Sequence, residues 1–159
     1  MTNKNEKSPK DALRILVAHG VNLDLLGRRE PAIYGSETLR DIETMLRQDV
    51  SVWTPMLGLS EIELSFFQSN DEGDFLNHLT ADHDGILINP GAWTHTSLPL
   101  ADRLKGLGVP YVEVHLSNVY AREPFRHHSY TAPGASGGVY GFGARSYRLG
   151  LWGLLLAIT

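Results

Sequence analysis

The sequence predicts a doubly wound α/β fold, in which helices cover both faces of a parallel β-sheet. Short apolar runs of strand length alternate along the 159-residue chain with stretches whose apolar residues recur at helical spacing. Strands that alternate with helices need crossover connections, and such connections make neighbouring strands parallel. No internal repeat or linker divides the chain. We therefore expect one domain over residues 12–159, after a polar leader, residues 1–11, that is frayed or disordered.

The predicted strands are rich in β-branched or aromatic residues and are bounded by polar or turn residues. Four of them follow directly from the apolar pattern, and a fifth lies within a glycine-rich stretch. They cover residues 13–18, 62–67, 85–88 and 110–114, with the fifth at 139–142. The sheet is therefore expected to have five parallel strands.

The predicted helices fill the intervals between these strands. The first begins after Thr38, which forms a capping-box pattern with Asp41, and Pro55 is expected to stop it. Three further helices are predicted over residues 71–81, 98–107 and 145–158, where apolar residues recur at helical spacing.

Composition and charge exclude several classes of protein. Hydrophobic residues make up 42% of the chain and charged residues 20%, which is typical of a packed globule. The formal charge of −4 and the lack of a basic stripe argue against nucleic acid as a partner. The absence of cysteine excludes disulfide scaffolds, thiolate zinc sites and cysteine nucleophiles. The most apolar stretch, residues 149–158, is too short for a bilayer, and residues 1–11 lack the apolar core of a secretory signal. We expect no membrane partner, and we expect a cytoplasmic location.

Polar side chains follow four of the predicted strands. They are His19 and Asn22, then Gln68, Ser69 and Asn70, then Asn89, Thr94 and His95, and finally His115, Ser117, Asn118, Arg122 and Arg126. Ligands of doubly wound sheets bind beyond the carboxyl ends of the strands. The sequence therefore predicts a polar binding site at this edge of the sheet.

Glu113 and His115 are two residues apart on a predicted strand, so their side chains project from the same face. A carboxylate beside an imidazole orients the ring and favours its protonated form, which suits a general acid. The alternative is a buried structural pair, since ion pairs without a catalytic role occupy strand ends as well.

The long loop at residues 24–35 carries Arg28, Arg29 and Tyr34 and has the length of an active-site lid. A guanidinium close to a phenol favours the phenolate, which could then act as a base. Taken alone, the loop fits a surface segment with two solvated arginines and a half-buried tyrosine better than it fits a lid.

No motif in the sequence has the residue spacing that a metal site or a common cofactor site requires. Gly141-Phe142-Gly143 lacks the third glycine of a dinucleotide fingerprint, there is no phosphate-binding Walker motif, and the histidines have no convincing ligand spacing. We expect neither a metal ion nor a cofactor.

Five ordered motifs resemble those of the type II 3-dehydroquinate dehydratases, which are flavodoxin-like enzymes of the shikimate and quinate pathways. The motifs are GRREPAIYG at 27–35, FQSNDEG at 67–73, INPGAWTHTS at 88–97, VEVHLSN at 112–118 and AREPFRHHSY at 121–130. The resemblance runs from about residue 15 to about residue 155. It implies an anti dehydration of 3-dehydroquinate to 3-dehydroshikimate through an enolate, without a Schiff base or a metal.

The resemblance also implies roles for individual residues. Tyr34 matches the base, and Arg29 matches the arginine that activates it. Asn22 matches the asparagine that holds a water facing the enolate oxygen. His115 matches the acid that protonates the departing hydroxyl, with Glu113 as its orienting partner.

Further positions match residues that bind the substrate or join subunits. The substrate-binding matches are Asn89, His95, Leu116, Ser117 and Arg126. Asp102 matches an aspartate that reaches the site of a neighbouring subunit, and members of the family form trimers that assemble into dodecamers.

The first-strand motif departs from the family pattern. It usually reads Asn-Gly-Pro-Asn-Leu-Asn, whereas this chain has His19, Val21 and Asp24 at three of the six positions. Two alternatives to a hydro-lyase therefore stay open: a noncatalytic relative that binds a small carboxylate, and a flavodoxin-like electron carrier. The carrier would need flavin-stacking and phosphate-binding loops that the sequence does not show.

Overall fold

A parallel β-sheet forms the centre of the molecule. Polar side chains collect at the edge where its strands end. The structure is a computed structural model that describes residues 11–28 and 30–159. The strands are β1 (Ala12–His19), β2 (Glu61–Gln68), β3 (Gly85–Asn89), β4 (Tyr111–His115) and β5 (Gly137–Tyr140). Within the described residues they form one five-stranded sheet in the order β2-β1-β3-β4-β5, with all neighbours parallel. This order is the flavodoxin-like one, so the predicted fold class is confirmed.

Helices connect the strands across both faces of the sheet. They are α1 (Pro31–Tyr34), α2 (Leu39–Met56), α3 (Glu72–His78), α4 (Leu98–Leu107) and α5 (Arg145–Ile158). Short 3-10 turns lie at Leu23–Leu25, Gly91–His95, Val119–Ala121, Pro124–Arg126 and Ala132–Gly134. No helix of the described residues is long and apolar enough to cross a membrane.

Two apolar layers sandwich the sheet. Alternate residues of β1 face opposite sides, so that Ile15 and Val17 join the layer under α2 and α5, while Leu16 and Ala18 join the layer under α3 and α4. Strands buried on both faces are typical of parallel sheets. Because both faces are covered, the loops at the strand ends are the part of the sheet left open to a ligand.

Most predicted boundaries lie within one residue of the observed ones, and three differences have a clear physical cause. Helix α2 starts with the predicted capping box between Thr38 and Asp41 but runs past Pro55 to Met56, because proline in a last turn removes only one donor. Helix α3 ends at His78, three residues before the predicted end, where Leu79 turns to an extended backbone. Strand β5 lies two residues earlier than predicted, because pairing with β4 sets its register and Gly141 (φ 92°) turns the chain away.

Candidate active site

A cavity of about 220 Å³ lies at the carboxyl edge of the sheet. The ends of β3 and β4, the loop after β1 and the segment after β4 enclose it. Of the predicted site residues, its lining includes Asn22, Tyr34, Asn89, His95, His115, Leu116, Ser117 and Arg126. The structure therefore brings together side chains that are more than 100 residues apart in the sequence.

Two glycines allow the loops after β1 and β3 to approach each other beneath this cavity. A Cβ on Gly20 would lie 2.5 Å from the Pro90 carbonyl oxygen, and one on Gly91 would lie 2.9 Å from the Val21 carbonyl oxygen. Gly91 also has a φ of 59°, which other residues rarely adopt. The close contact places Asn22 and Asn89 on the same cavity wall.

Glu113 holds His115 in one orientation. Its carboxylate lies 2.7 Å from His115 Nε2 and accepts hydrogen bonds from the hydroxyls of Thr94 (2.6 Å) and Thr131 (2.5 Å). Burial opposes ionisation of this carboxyl group, but the hydrogen bonds from His115, Thr131 and Thr94 outweigh it and lower the pKa of Glu113. An ionised carboxylate that accepts from His115 Nε2 is the arrangement expected for an oriented general acid.

His95 is fixed from its opposite side. Its Nδ1 lies 2.7 Å from the His128 carbonyl oxygen, so Nδ1 carries the proton and donates. Partial burial lowers the pKa of His95, the hydrogen bond with the His128 carbonyl opposes this shift, and the charge of Arg126 reinforces it. The ring is therefore neutral at pH 7, with Nε2 available to accept a hydrogen bond. A second cavity of about 190 Å³ adjoins the first and shares both imidazoles with it.

Tyr34 enters the cavity from the loop side. It is the last residue of α1, a single turn bounded by left-handed backbone at Glu30 (φ 34°) and Gly35 (φ 84°). The guanidinium carbon of Arg122 lies 5.4 Å from the centroid of the Tyr34 ring, and Arg122 also donates to the Ser117 hydroxyl at 3.4 Å. A cation thus lies against the phenol that the sequence predicts as the base. Arg29, the predicted activating residue, lies outside the described residues.

The loop after β1 is tied to the end of β2. The backbone N–H of Asn22, which has left-handed geometry (φ 64°), donates to Asn70 Oδ1 at 2.8 Å, and Asn70 Nδ2 donates to Asp24 at 3.2 Å. Asp24 replaces the asparagine usual in the resembling motif, and its carboxylate accepts from Asn70. This network holds the backbone of Asn22 beside the cavity.

Two of the predicted site residues, Arg126 and Asp102, differ from the others in their contacts or in their position. Arg126 lines the cavity and donates to Glu123 at 2.9 Å, so an exposed carboxylate offsets part of its charge. Asp102 lies exposed on α4 and does not line the cavity of its own chain.

Sequence reasoning placed Arg122 at the polar edge of the sheet without an individual role, and it did not single out Leu26 and Val119; all three line the cavity. For Arg122 a signal existed, since it follows the fourth strand within the quoted motif at 121–130. The two apolar residues carry no chemical signature, and only the fold reveals their position. Among the described residues, no group of three or more acidic or histidine side chains is arranged to hold a metal ion.

Comparison with known proteins shows one family over most of the chain. The family model for dehydroquinase class II matches residues 13–155. The 3-dehydroquinate dehydratase of Trichodesmium erythraeum is 51% identical over 140 residues, which are 86% of this chain and 89% of that protein. The 3-dehydroquinate dehydratase of Azorhizobium caulinodans is 50% identical over 142 residues, or 88% of this chain and 92% of that protein.

Solved structures with the same fold include type II dehydroquinases. The enzyme from Butyrivibrio crossotus matches with a TM-score of 0.79 at 37% identity. The match covers 88% of this chain and 95% of that enzyme's chain. The enzyme from Propionibacterium acnes matches with a TM-score of 0.78 at 39% identity. The match covers 92% of this chain and 97% of that enzyme's chain. Because the family model matches nearly the full length of the chain and these relatives are about 50% identical over most of it, the chain belongs to the dehydroquinase class II family.

Proposed function

We propose that this chain dehydrates 3-dehydroquinate to 3-dehydroshikimate by an anti elimination through an enolate. The observation that carries the proposal is that Tyr34 and His115 line one cavity from two different segments of the chain. A base and an acid held apart in this way can act on opposite sides of a single substrate. The names of the relatives support the choice of substrate.

Tyr34 is the proposed base. As a phenolate it takes a proton from the carbon next to the ketone, and the electron pair of the broken C–H bond forms the enolate. Arg29 is the arginine that the resemblance assigns to activation of this tyrosine. Arg122, whose guanidinium carbon lies 5.4 Å from the ring centroid, places a second positive charge against this tyrosine.

Asn22 and His115 are proposed to act on the enolate. Asn22 holds a water molecule that donates to the enolate oxygen, because fixed donors at a developing oxyanion are a large part of such catalysis. The enolate then expels the hydroxyl, and His115 gives the proton that turns it into water. Glu113 stabilises the charge that His115 carries before this transfer, and proton exchange with solvent resets Tyr34 and His115.

The remaining predicted residues are proposed to bind and orient the substrate. Arg126 offers a guanidinium to the substrate carboxylate, and Asn89, His95, Leu116 and Ser117 meet its hydroxyl groups and ring. We propose residues 12–159 as the catalytic unit and Asp102 as a contact to a neighbouring subunit, within trimers that assemble into a dodecamer. Sedimentation analysis tests the assembly, and the cytoplasmic location remains a prediction.

Turnover is tested by adding 3-dehydroquinate and following the ultraviolet absorbance of the conjugated enone. We expect absorbance to grow with the wild-type chain and to stay at background with Tyr34→Phe, which keeps the ring and removes the base. Tyr130→Phe is the matched control, because Tyr130 lines neither cavity, and its rate should equal that of the wild type. Binding of 3-dehydroquinate without any turnover would instead support a noncatalytic carboxylate-binding relative. A chelator should leave the rate unchanged.

A further inference from the structure

Ser129 lies where two segments of the chain meet beside the Glu113–His115 pair. It belongs to the motif at 121–130, and the proposed function assigns it no role. The N–H of the next residue, Tyr130, donates to the Thr94 carbonyl oxygen at 2.8 Å. The hydroxyl of Ser129 lies 2.6 Å from the hydroxyl of Thr94. The segment after β4 is therefore tied to the turn after β3 both by its backbone and by this serine.

The hydroxyl of Ser129 is the donor in its contact with Thr94. Its oxygen accepts hydrogen bonds from the backbone N–H groups of Thr131, at 3.2 Å, and Ala132, at 2.8 Å. A hydroxyl oxygen has two lone pairs, and these two N–H groups occupy both of them. The Ser129 proton is left for the Thr94 oxygen at 2.6 Å, which is much nearer than the Thr131 hydroxyl at 3.4 Å.

The hydroxyls of Thr94 and Thr131 both donate to Glu113. Thr94 donates to one carboxylate oxygen at 2.6 Å, and Thr131 donates to the other at 2.5 Å. Both directions are fixed, because a carboxylate ion has no proton to donate. The oxygen that accepts from Thr94 also accepts from His115 Nε2 at 2.7 Å. Neither threonine is more than 1% exposed and Glu113 is 3% exposed, so solvent offers these groups no substitute partner.

We infer that Ser129 is a positioning residue, which directs the hydroxyls of Thr94 and Thr131 to Glu113 and so keeps Glu113 in place for His115. The inference rests on the proposed function, in which His115 is the acid. The proton of Ser129 polarises the Thr94 hydroxyl and makes it a stronger donor, while the Ser129 oxygen holds the backbone of Thr131. Ser129 lines the second cavity and not the first, so it acts on the reaction through Glu113.

The kinetic test uses Ser129→Ala, which removes only the hydroxyl. It should lower kcat about five- to tenfold, the value of about one hydrogen bond, and change KM by less than about twofold. The split is expected because the acid is held less well while the contacts with the substrate remain. In a Glu113→Ala background Ser129→Ala should lower kcat no further, since the group that it positions is gone.

Thr94 provides a second pair of variants for the same hydrogen-bond chain. Thr94→Val keeps the shape of the side chain but loses the hydroxyl between Ser129 and Glu113, so it should lower kcat at least as much as Ser129→Ala. Thr94→Ser keeps the hydroxyl and should retain most of the wild-type kcat. Equal losses in Thr94→Val and Thr94→Ser would show that packing at this position matters rather than the hydroxyl, and would overturn the inference.

A merely structural role of Ser129 gives a different result. Ser65→Ala is the matched control, because it removes a half-buried serine hydroxyl from β2, away from both cavities. It should leave kcat and KM unchanged. If Ser129→Ala also leaves kcat unchanged, or if it lowers kcat equally in the Glu113→Ala background, the inference is wrong.

A measurement without substrate separates this inference from the proposed function. The Nε2 proton of His115 is assigned in the proton NMR spectrum by its loss in His115→Ala. Its exchange with solvent should be about tenfold faster in Ser129→Ala than in the wild type, because the carboxylate that holds it is less firmly fixed. Unchanged exchange would overturn the inference even if the wild type turns over 3-dehydroquinate. Faster exchange in a chain that shows no turnover would uphold the positioning and reject only the proposed reaction.

Discussion

The two halves of the site are built in different ways. The strand-borne half consists of Asn89, Glu113 and His115, which lie at the carboxyl ends of β3 and β4. The loop-borne half consists of Asn22, Tyr34 and Arg122, which lie in the segments after β1 and β4. In the strand-borne half, Glu113 is almost completely buried and has three hydrogen-bond partners. In the loop-borne half, Tyr34 lies on a single helical turn that buries none of its residues.

The difference teaches how acid and base are each prepared for the reaction. The sheet fixes His115 before any substrate binds, because its partner Glu113 is locked by two threonine hydroxyls on other segments. The position of Tyr34 depends on a loop whose backbone has left-handed geometry at both ends of α1, and loops of this length commonly close over a ligand. Apart from removal of the base Tyr34 itself, we therefore expect changes in the strand-borne half to reduce the chemical step most.

After the complete loss expected for Tyr34→Phe, the largest expected effect is that of His115→Ala. Removing a general acid costs about 10²- to 10⁴-fold, so kcat should fall by that factor while the fold persists. The enone absorbance assay measures the rate, and circular dichroism checks the fold. His78→Ala is the matched control, because His78 is exposed on α3 and lines neither cavity. A similar loss in His78→Ala, or nearly full activity in His115→Ala, would contradict the assignment.

The second prediction concerns stability rather than rate and involves His19, which is buried at the end of β1. Burial lowers the pKa of His19 from 6.5 to about 4, so the unfolded chain binds this proton more readily than the folded chain. Its contribution is fully present above pH 6.5 and is lost as the pH falls toward 4. One proton over that interval lowers the free energy of unfolding by about 3 kcal/mol. Urea unfolding at pH 7 and pH 4 should show this loss in the wild type and a smaller one in His19→Asn; equal losses would contradict it.

The contrast between the halves also explains how far sequence reasoning reaches. The strands, the capping box at Thr38 and the Glu113–His115 pair depend on short-range patterns, and the structure contains all of them. The contact of Arg122 with Tyr34 joins residues 88 positions apart, and no local pattern encodes it. The locking of Glu113 by Thr94 and Thr131 likewise depends on how loops cross the sheet edge. Local chemistry was predictable, whereas partners brought together by the tertiary fold were not.

The third prediction removes the charge from the strand-borne half while keeping its shape. Glu113→Gln leaves His115 with a neutral partner, and hydrogen bonds to charged groups contribute about 1.5–3 kcal/mol. We expect kcat to fall about ten- to a hundredfold, less than in His115→Ala, as measured by the same absorbance assay. Glu63→Gln is the matched control, because Glu63 lies exposed on β2, away from both cavities. A loss in Glu113→Gln as large as that in His115→Ala would mean that the carboxylate itself takes part in the proton transfer.

The smallest expected effect falls on the loop-borne half. Arg122→Lys keeps the positive charge but removes the planar group that lies over Tyr34, and a cation–π contact at a partly exposed site is worth about 0.5–1 kcal/mol. We expect kcat to fall about two- to fivefold with KM nearly unchanged. Arg148→Lys is the matched control, because Arg148 pairs with Asp49 on α2 far from the cavity, and its kinetics should equal those of the wild type. If Arg122→Lys instead raises KM more than tenfold, Arg122 holds the substrate rather than the base, and the loop-borne half contributes to binding as strongly as the strand-borne half contributes to chemistry.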